Sequence, residues 1–508
     1  MANHTGSVGF FAAEVLEQTA ERQAGKTALV AKEEEITFAE LNQRVHALAF
    51  HLRREGLRQS DRVGVLSPNS TAIPLSYYAT QKIGAVSVIL DARLRGKELQ
   101  GVLQDADLKL LIVHKQLYRE VQEAFKATKP MPVWVVDGDG EDSFENRFAA
   151  PSTAVSSPAL NGDEDALILY TSGTTGEPKG VVLTYENLAQ YPRVMGDMGI
   201  TDSSTMRGCI LPMSHIVGPI VCNDMADKGF TLVIFDQINP MTLLEGIQKH
   251  RITVFEAVPI VFQLILGVRN LGEYDTSSVK IAAMMGTSVP LPLLQAFKQA
   301  EPHIKVIQGY GLTETSPLIT LVEPEQEIEK MGSIGRAVAG VEIKIIDDNG
   351  REAPIGEPGE IITRGPHVMK GYFRKPDATA ERIRDGWLYT GDVGKRGDEG
   401  YYYHLGRRDD MIITGGLNVY PAEVENMIYC YPGVQETIVF AIPDTKRGHV
   451  IGAAIVPRPG ATIVEKDLLA FLRANLANFK APQKVVVRDS LPRTTSGKVI
   501  RDAAALLA

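Results

Sequence analysis

The segment Leu169–Gly180, LYTSGTTGEPKG, has the composition needed to hold a chain of phosphates. It contains three glycines, four Ser or Thr hydroxyls and Lys179, and it follows an apolar strand predicted over Ala166–Tyr170. Glycines let backbone N–H groups approach phosphate oxygens, while the hydroxyls add donors and the lysine adds charge. The spacing differs from the common G-x-x-x-x-G-K-[ST] phosphate loop. A flexible turn can share this composition, but the unbroken string T-S-G-T-T-G-x-P-K-G is highly specific.

A second segment, Gln308–Thr315 (QGYGLTET), combines features suited to a nucleotide base and a metal. An apolar strand predicted over Ile304–Ile307 ends in glycines, which would let a flat ring lie against the backbone with Tyr310 available to stack. Glu314 offers a hard oxygen ligand of the kind that Mg²⁺ prefers, and nucleotide phosphates would share that ion. Taken alone, a glutamate at this position is more often a helix-terminal carboxylate than a metal ligand.

Asp392 and Arg407 could bracket a ribose. A carboxylate accepts hydrogen bonds from both ribose hydroxyls, and a guanidinium donates. The alternative is an ion pair between a turn and a strand, and these two residues by themselves do not decide between the two interpretations.

In order along the chain, these motifs resemble those of the acyl-adenylating superfamily of acyl-CoA synthetases, nonribosomal adenylation domains and luciferases. The resemblance spans nearly the whole sequence. It includes Tyr389–Asp392 (YTGD) as the ribose motif, Gly406–Gly416 (GRRDDMIITGG) as the hinge motif and Pro492–Lys498 (PRTTSGK) as the terminal lysine motif. The nucleotide-binding residues it implies are Thr171, Ser172, Gly173, Thr174, Thr175, Gly176, Lys179, Gly309, Tyr310, Gly311, Thr313, Asp392 and Arg407.

The resemblance also implies catalytic roles for Lys498, His215 and Glu314, with Glu314 as the metal ligand. The Lys498 ammonium would bridge the attacking carboxylate and the α-phosphate, where negative charge concentrates in the transition state. Asp409 is the implied hinge, and Gly415 and Gly416 would approach a coenzyme A tunnel. Each lysine or histidine considered alone is more often an ordinary surface or structural residue.

The implied reaction needs ATP, Mg²⁺ and coenzyme A. The carboxylate of an acid attacks the α-phosphate and releases pyrophosphate, and a thiol then attacks the acyl-adenylate and releases AMP. Apolar and small residues near Val258–Phe262, Gly286–Pro290 and Leu312–Leu318 favour a fatty or aryl acid, although Gly286–Pro290 (GTSVP) departs from the family pattern. The acid itself, its chain length and the pathway stay open.

Three alternatives remain. The acyl group could be handed to a separate carrier protein, or the chain could be a nucleotide-binding relative without activity. An amino-acid-activating enzyme fits less well, because neither Asp224 nor Asp236 stands where that class places the aspartate for the substrate ammonium.

The pattern of elements predicts an α/β fold. Strands and helices alternate over residues 27–136 and 166–320, which indicates mainly parallel sheets. The stretch 137–163, rich in Gly, Asp, Ser and Pro, indicates a surface connection between them. A small β-rich part follows, with a hairpin signal at Asn349-Gly350. We expect an N-terminal AMP-binding domain over 1–406, a hinge at 407–410 and a small, mobile α+β domain over 411–508.

The 508 residues carry a net charge of −9, which argues against general nucleic-acid binding. Three cysteines favour a reducing compartment, and the absence of a signal sequence or an 18-residue apolar run favours a cytoplasmic protein. Residues 446–508 are the exception in charge, with 11 Lys or Arg against four Asp or Glu, and could dock the coenzyme A phosphates. Monomer and homodimer both remain possible.

Overall fold

The computed structural model describes residues 10–149, 153, 155–172, 178–286, 289–458, 460–493 and 499–507. Among these residues the strands form four sheets. Two large sheets are parallel in their central strands and two smaller sheets are mainly antiparallel. The predicted α/β class, with a large N-terminal part and a small C-terminal part, is confirmed.

Each sheet has a defined spatial order of strands. The first sheet runs through Arg336–Ala337, Thr320–Leu321, Lys305–Tyr310, Ile281–Met284, Val254–Ala257, Met206–Cys209, Thr231–Ile234, Thr27–Ala31 and Glu34–Thr37. The second runs through Gly371–Tyr372, Pro178–Thr184, Asp165–Ser172, Val86–Leu90, Arg62–Leu66, Leu110–His114 and Val133–Val136. The third runs through Glu342–Ile346, Pro358–Arg364, Trp387–Arg396 and Ile383–Arg384, with Tyr402–Arg407 also paired to Trp387–Arg396. The fourth runs through Leu417–Val419, Ile412–Thr414, Gly448–Pro457 and Val434–Asp444, with Lys484–Val487 also paired to Gly448–Pro457.

The two large sheets share one core. Helices between them bury side chains against both sheets, and these helices are Ala12–Arg22, Phe38–Arg54, Ala72–Lys82, Tyr185–Leu188, Gln190–Asp197 and Val217–Lys228. The outer face of the first sheet packs on Pro240–His250, Pro259–Leu266 and Leu291–Ala300, and that of the second on Gly96–Ala106 and Lys115–Phe125. The remaining helices are Asn146–Ala149, Pro376–Arg382, Pro421–Tyr429, Glu465–Asn475 and Ala503–Leu507, with 3₁₀ turns at Leu271–Glu273, Thr313–Thr315 and Asp398–Gly400.

Local sequence explains where these elements begin and end. The helix Phe38–Arg54 starts at Thr37, whose side chain accepts from the Glu40 backbone while the Glu40 carboxylate accepts from the Thr37 backbone. It ends before Gly56, which has a φ of +86°. The turn predicted at Asn349-Gly350 is present, since the Asp347 N–H donates to the Arg351 carbonyl oxygen at 2.8 Å.

One prediction needs correction. The stretch 137–163 is not simply a surface connection, because it contains the helix Asn146–Ala149 and buries Phe144 in the shared core. The burial of Phe144 could not be predicted from this composition of Gly, Asp, Ser and Pro, because a single apolar residue forms no periodic pattern.

The fourth sheet has its own apolar core and begins at Ile412, five residues after the third sheet ends at Arg407.

Cys209, Cys222 and Cys430 are all free thiols. Within the described ranges of the chain, no helix combines the length and apolarity needed to cross a membrane.

Candidate active site

The glycine-rich segment connects two antiparallel strands of the second sheet. Thr171, at the end of Asp165–Ser172, lies opposite Lys179, at the start of Pro178–Thr184. The Thr171 hydroxyl donates to the Lys179 carbonyl oxygen at 3.5 Å. The predicted residues Gly173, Thr174, Thr175 and Gly176 lie outside the described residues, and Ser172 is described only by its backbone. The lysine is therefore fixed by a strand that begins directly after the predicted phosphate-binding segment.

Lys179 and Glu314 meet at a tyrosine that no sequence motif includes. The Lys179 ammonium lies 5.3 Å from the centre of the Tyr372 ring, and the Tyr372 hydroxyl donates to Glu314 Oε1 at 2.9 Å. Tyr372 belongs to a two-residue edge strand that pairs with Val181 of the lysine's own strand. Burial and the Glu314 carboxylate raise the pKa of Tyr372, so its hydroxyl keeps its proton and remains a donor. The sequence alone does not identify Tyr372 as a residue of the site, because a strand of two residues has no periodic pattern.

The glycines of QGYGLTET lie where the chain packs closely on itself. A Cβ at Gly311 would lie 1.4 Å from the Pro317 carbonyl oxygen, and one at Gly309 would lie 2.9 Å from Leu321 Cδ1. Both glycines are therefore required because the chain folds back over them, whether or not a base also lies there. Thr313 begins the 3₁₀ turn that carries Glu314.

Tyr310 connects the base motif to the ribose motif. Its hydroxyl donates to Asp392 Oδ2 at 2.6 Å, and its ring lies 5.6 Å from the His404 ring. Burial and the nearby Asp392 carboxylate raise the pKa of Tyr310 far above its ordinary value. The residue expected to stack on a base is thus held in place through its hydroxyl.

Asp392 and Arg407 lie opposite each other on two paired strands of the third sheet. Asp392 is 2% exposed, and its Oδ1 lies 3.0 Å from Arg407 Nη1. Burial alone would raise the pKa of Asp392, but His404 and Arg407 outweigh it and hold the pKa below the ordinary value. Oδ1 is buried, and no described residue gives it a well-aligned hydrogen bond. A ribose hydroxyl is a donor of the kind that would satisfy it.

His215 lies just before the helix Val217–Lys228, and residues from the second sheet hold it. Its Nε2 lies 3.0 Å from Arg93 Nη2 and 3.7 Å from Asp91 Oδ2. A guanidinium only donates, so in this contact His215 Nε2 is the acceptor. Burial lowers the pKa of His215, and the Arg93 charge adds to this while Asp91 opposes it. Asp91 and Arg93 follow the strand Val86–Leu90, and no sequence motif includes them.

Two of the predicted acyl segments, 258–262 and 286–290, meet at the first sheet. Gly286 has a φ of +89°, and a Cβ there would lie 3.2 Å from Val258 Cγ1. Thr287 and Ser288 lie outside the described residues. Val258, Ile260, Val289 and Met331 are half-buried against the apolar core of this sheet. The described side chains of these segments that pack on this core are therefore apolar.

The two aspartates weighed for an amino-acid substrate have other partners. Asp224 is fully buried, with Arg207 at 2.9 Å and the Thr201 hydroxyl at 3.1 Å. Burial raises the pKa of Asp224 to about 7, against the opposing effect of Arg207. Asp236 lies 3.4 Å from Lys32 at the surface. Neither residue faces the cluster formed by Lys179, Glu314 and Asp392.

The predicted site residues of the C-terminal part follow the third sheet along the chain. Asp409 is exposed in the turn between Arg407 and Ile412. Gly415 and Gly416 form the turn between Ile412–Thr414 and Leu417–Val419, where a Cβ on either glycine would meet nothing within 4 Å. The predicted Lys498 lies outside the described residues, and the chain on either side of it is held by a bridge between Arg493 and Val499.

Comparison with known proteins identifies the family. The family model of the AMP-binding enzymes matches residues 16–373, and the model of their C-terminal domain matches 423–498. The chain belongs to the AMP-binding enzyme family. It is similar to a feruloyl-CoA synthase of an Amycolatopsis species, at 36% identity over 92% of both chains. It is also similar to the long-chain-fatty-acid–CoA ligase FadD13 of Mycobacterium tuberculosis, at 34% identity over 92% of both chains.

A solved structure supports the same assignment. The o-succinylbenzoate coenzyme A synthetase of Bacillus subtilis, in complex with ATP and a magnesium ion, is 31% identical. The match has a TM-score of 0.85 and covers 97% of this chain and 99% of that one. The predicted enzyme class, an AMP-forming acyl-CoA synthetase, is confirmed.

Proposed function

We propose that this enzyme activates an aryl or fatty acid in two steps at one site. An oxygen of the acid's carboxylate attacks the α-phosphorus of ATP, and pyrophosphate leaves as the acyl-adenylate forms. The sulfur of coenzyme A then attacks the acyl carbon, the thiol proton is released, and AMP leaves with the electrons of the broken C–O bond. Both steps depend mainly on positioning and charge neutralisation, which a preorganised polar site supplies.

The observation that carries this proposal is the convergence of residues from five separate chain segments. Tyr372 joins Lys179 to Glu314, and Asp392 joins Tyr310 to Arg407. Tyr310 and Glu314 stand four residues apart, so the two groups belong to one cleft. The first group has the chemistry to hold phosphates and the second to hold a ribose.

Glu314 fits a magnesium ion. Its Oε1 accepts from Tyr372, which orients the carboxylate and leaves Oε2 for a cation. The described residues include no group of three or more His, Cys, Asp or Glu side chains that could hold a metal. Oxygens of the nucleotide and water would therefore complete the coordination, and the bound ion would neutralise phosphate charge.

The apolar surroundings of Gly286 support an uncharged acyl tail. Val258, Val289 and Met331 offer no charge to a second carboxylate or an ammonium. His215, whose Nε2 accepts from Arg93, would lie beside the reacting carboxylate. The relatives named for ferulate and for long-chain fatty acids fit the same description.

We further propose an AMP-binding domain over 1–406, a hinge at 407–410 and a C-terminal domain over 411–508. The separate core of the fourth sheet and the open turn at Gly415–Gly416 support this division. Rotation at Asp409 would exchange Lys498, which serves adenylation, for the Gly415–Gly416 turn, which would admit coenzyme A. Because all three cysteines are free thiols, we place the enzyme in the cytoplasm.

The test is pyrophosphate release from ATP with a panel of cinnamic, benzoic and short- to long-chain fatty acids, each with and without coenzyme A. We expect at least one acid to give pyrophosphate and, with coenzyme A, an acyl-CoA detectable by mass spectrometry. Chelation of magnesium should stop both. Pyrophosphate release without acyl-CoA would favour a carrier protein as acceptor, and no pyrophosphate with any acid would contradict the proposal.

A further inference from the structure

Arg382 is a half-buried cation that no sequence motif includes. It is the last residue of the helix Pro376–Arg382, and its Nη1 donates to the Tyr389 carbonyl oxygen at 3.0 Å. A guanidinium has five N–H donors, so this contact leaves others free to bind a ligand. In the described part of the chain, Arg382 forms no ion pair with an Asp or Glu carboxylate.

One side of Arg382 faces the metal end of the cleft. The Arg382 guanidinium lies near the Tyr372 hydroxyl. That hydroxyl is the group that donates to Glu314, and the Lys179 ammonium lies over the same ring. Arg382 and Lys179 are therefore two cations beside one tyrosine.

The other side of Arg382 faces the ribose end. A Cβ at Gly391 would lie 2.9 Å from Arg382 Nη1 and 3.7 Å from Arg407 Nη2. Gly391 directly precedes Asp392, so Arg382 approaches the backbone beside the proposed ribose carboxylate. The guanidinium thus lies between Asp392 and Glu314.

In a nucleotide the α-phosphate lies between the ribose and the metal-bound end of the phosphate chain. We propose that Arg382 binds the α-phosphate of ATP and of AMP, an inference that rests on the proposed nucleotide site. A planar guanidinium suits phosphate oxygens, and two cations without a carboxylate partner in the described residues favour an anion between them. The Tyr389 carbonyl would hold the guanidinium in place before the nucleotide binds.

The experiment compares the affinities for AMP and adenosine, because these ligands differ by the phosphate alone. Arg382→Ala should weaken AMP binding about 10- to 100-fold, the range for a charge-assisted hydrogen bond, and leave adenosine binding unchanged. Arg382→Lys should recover part of the loss. The matched control is Arg384→Ala, because Arg384 lies two residues further along, on the hairpin that follows the helix. Its guanidinium lies 4.4 Å from the Tyr389 ring centre, and its Nε donates to the Glu381 carbonyl oxygen at 3.1 Å. This variant should bind AMP normally.

A structural role for Arg382 would weaken AMP and adenosine equally, and that result would overturn the inference, as would unchanged AMP affinity. Arg382→Gln keeps a donor for the Tyr389 carbonyl and serves if the alanine variant does not fold. Failure of the proposed function would give a different result from failure of this inference, because the unaltered enzyme would then release no pyrophosphate with any acid.

Discussion

The two ends of the nucleotide cleft are built in different ways. At the ribose end, Asp392 is 2% exposed, and it is surrounded by Arg407 and His404 from its own hairpin and by Tyr310 from a strand of the first sheet. At the phosphate end, Tyr372 belongs to the edge strand of the second sheet and Lys179 to the strand beside it, and Lys179 forms no ion pair with a described carboxylate. The ribose end is therefore formed before the nucleotide arrives. In the proposed mechanism the nucleotide and the C-terminal domain would complete the phosphate end.

The largest effect should come from breaking the preformed end. Asp392→Ala leaves the half-buried Arg407 guanidinium without its partner, and removing one member of a buried pair costs about 3–5 kcal/mol of folding free energy. We therefore expect a lower unfolding temperature together with weaker AMP binding, measured by thermal denaturation and calorimetry. The sequence alone suggests that the fold would be unaffected, and the burial of Asp392 changes that expectation.

The control for this variant is Asp348→Ala. Asp348 also pairs with an arginine, Arg408, at 3.1 Å, but its side chain is 86% exposed. Exposed ion pairs contribute little to stability, so this change should leave the unfolding temperature as it was. Equal unfolding temperatures for both variants would show that the ribose end is not preformed.

The phosphate end should be most sensitive to Lys498. Lys498→Ala should slow acyl-adenylate formation about 10²- to 10³-fold, the usual loss for one donor aimed at transition-state charge. Stability should not change, in contrast with Asp392→Ala. Thioester formation from prepared acyl-adenylate should continue, since Lys498 serves only the first step. Lys466, an exposed lysine on the helix Glu465–Asn475, provides the control. Equal losses in the two half-reactions would contradict this role.

The next effect concerns the movement that brings Lys498 to the cleft. Proline fixes φ near −65°, so Asp409→Pro should hold one arrangement of the domains. We expect pyrophosphate release to continue while acyl-CoA production falls at least about tenfold. Asp409→Ala keeps the backbone free and should behave normally. If the proline variant made acyl-CoA at the normal rate, rotation at this residue would not be needed.

The smallest effect should come from Tyr372→Phe. This change removes the hydrogen bond that orients Glu314, which is worth about 1 kcal/mol, so the magnesium concentration for half-maximal activity should rise about fivefold. Tyr401→Phe is the control, since Tyr401 donates to Glu323 at 3.0 Å outside the cleft. An unchanged magnesium requirement would mean that Glu314 is oriented without the Tyr372 hydrogen bond. The phosphate end would then hold its metal ligand in place as firmly as the ribose end holds Asp392.

The sequence by itself determined the α/β class, the positions of most elements and the family. The strand Val133–Val136 lies within the stretch 27–136 predicted to alternate strands and helices, and the helix Pro421–Tyr429 lies within the predicted α+β part, because burial of one face leaves a periodic apolar pattern in the chain. The motifs could also be recognised from the sequence, because their glycines, lysine and carboxylates occur at fixed spacing and follow one another in the order of one family.

Only the tertiary structure decided which side chains meet. An irregularity in the pairing of Trp387–Arg396 with Tyr402–Arg407 brings both His404 and Arg407 to Asp392, although simple alternation would place residues 404 and 407 on opposite faces. Tyr372 and Arg382 reach the cleft because a two-residue edge strand and a helix end are carried there by the sheets on either side. Such contacts depend on register and on the packing of distant segments. Neither leaves a periodic signal in the sequence.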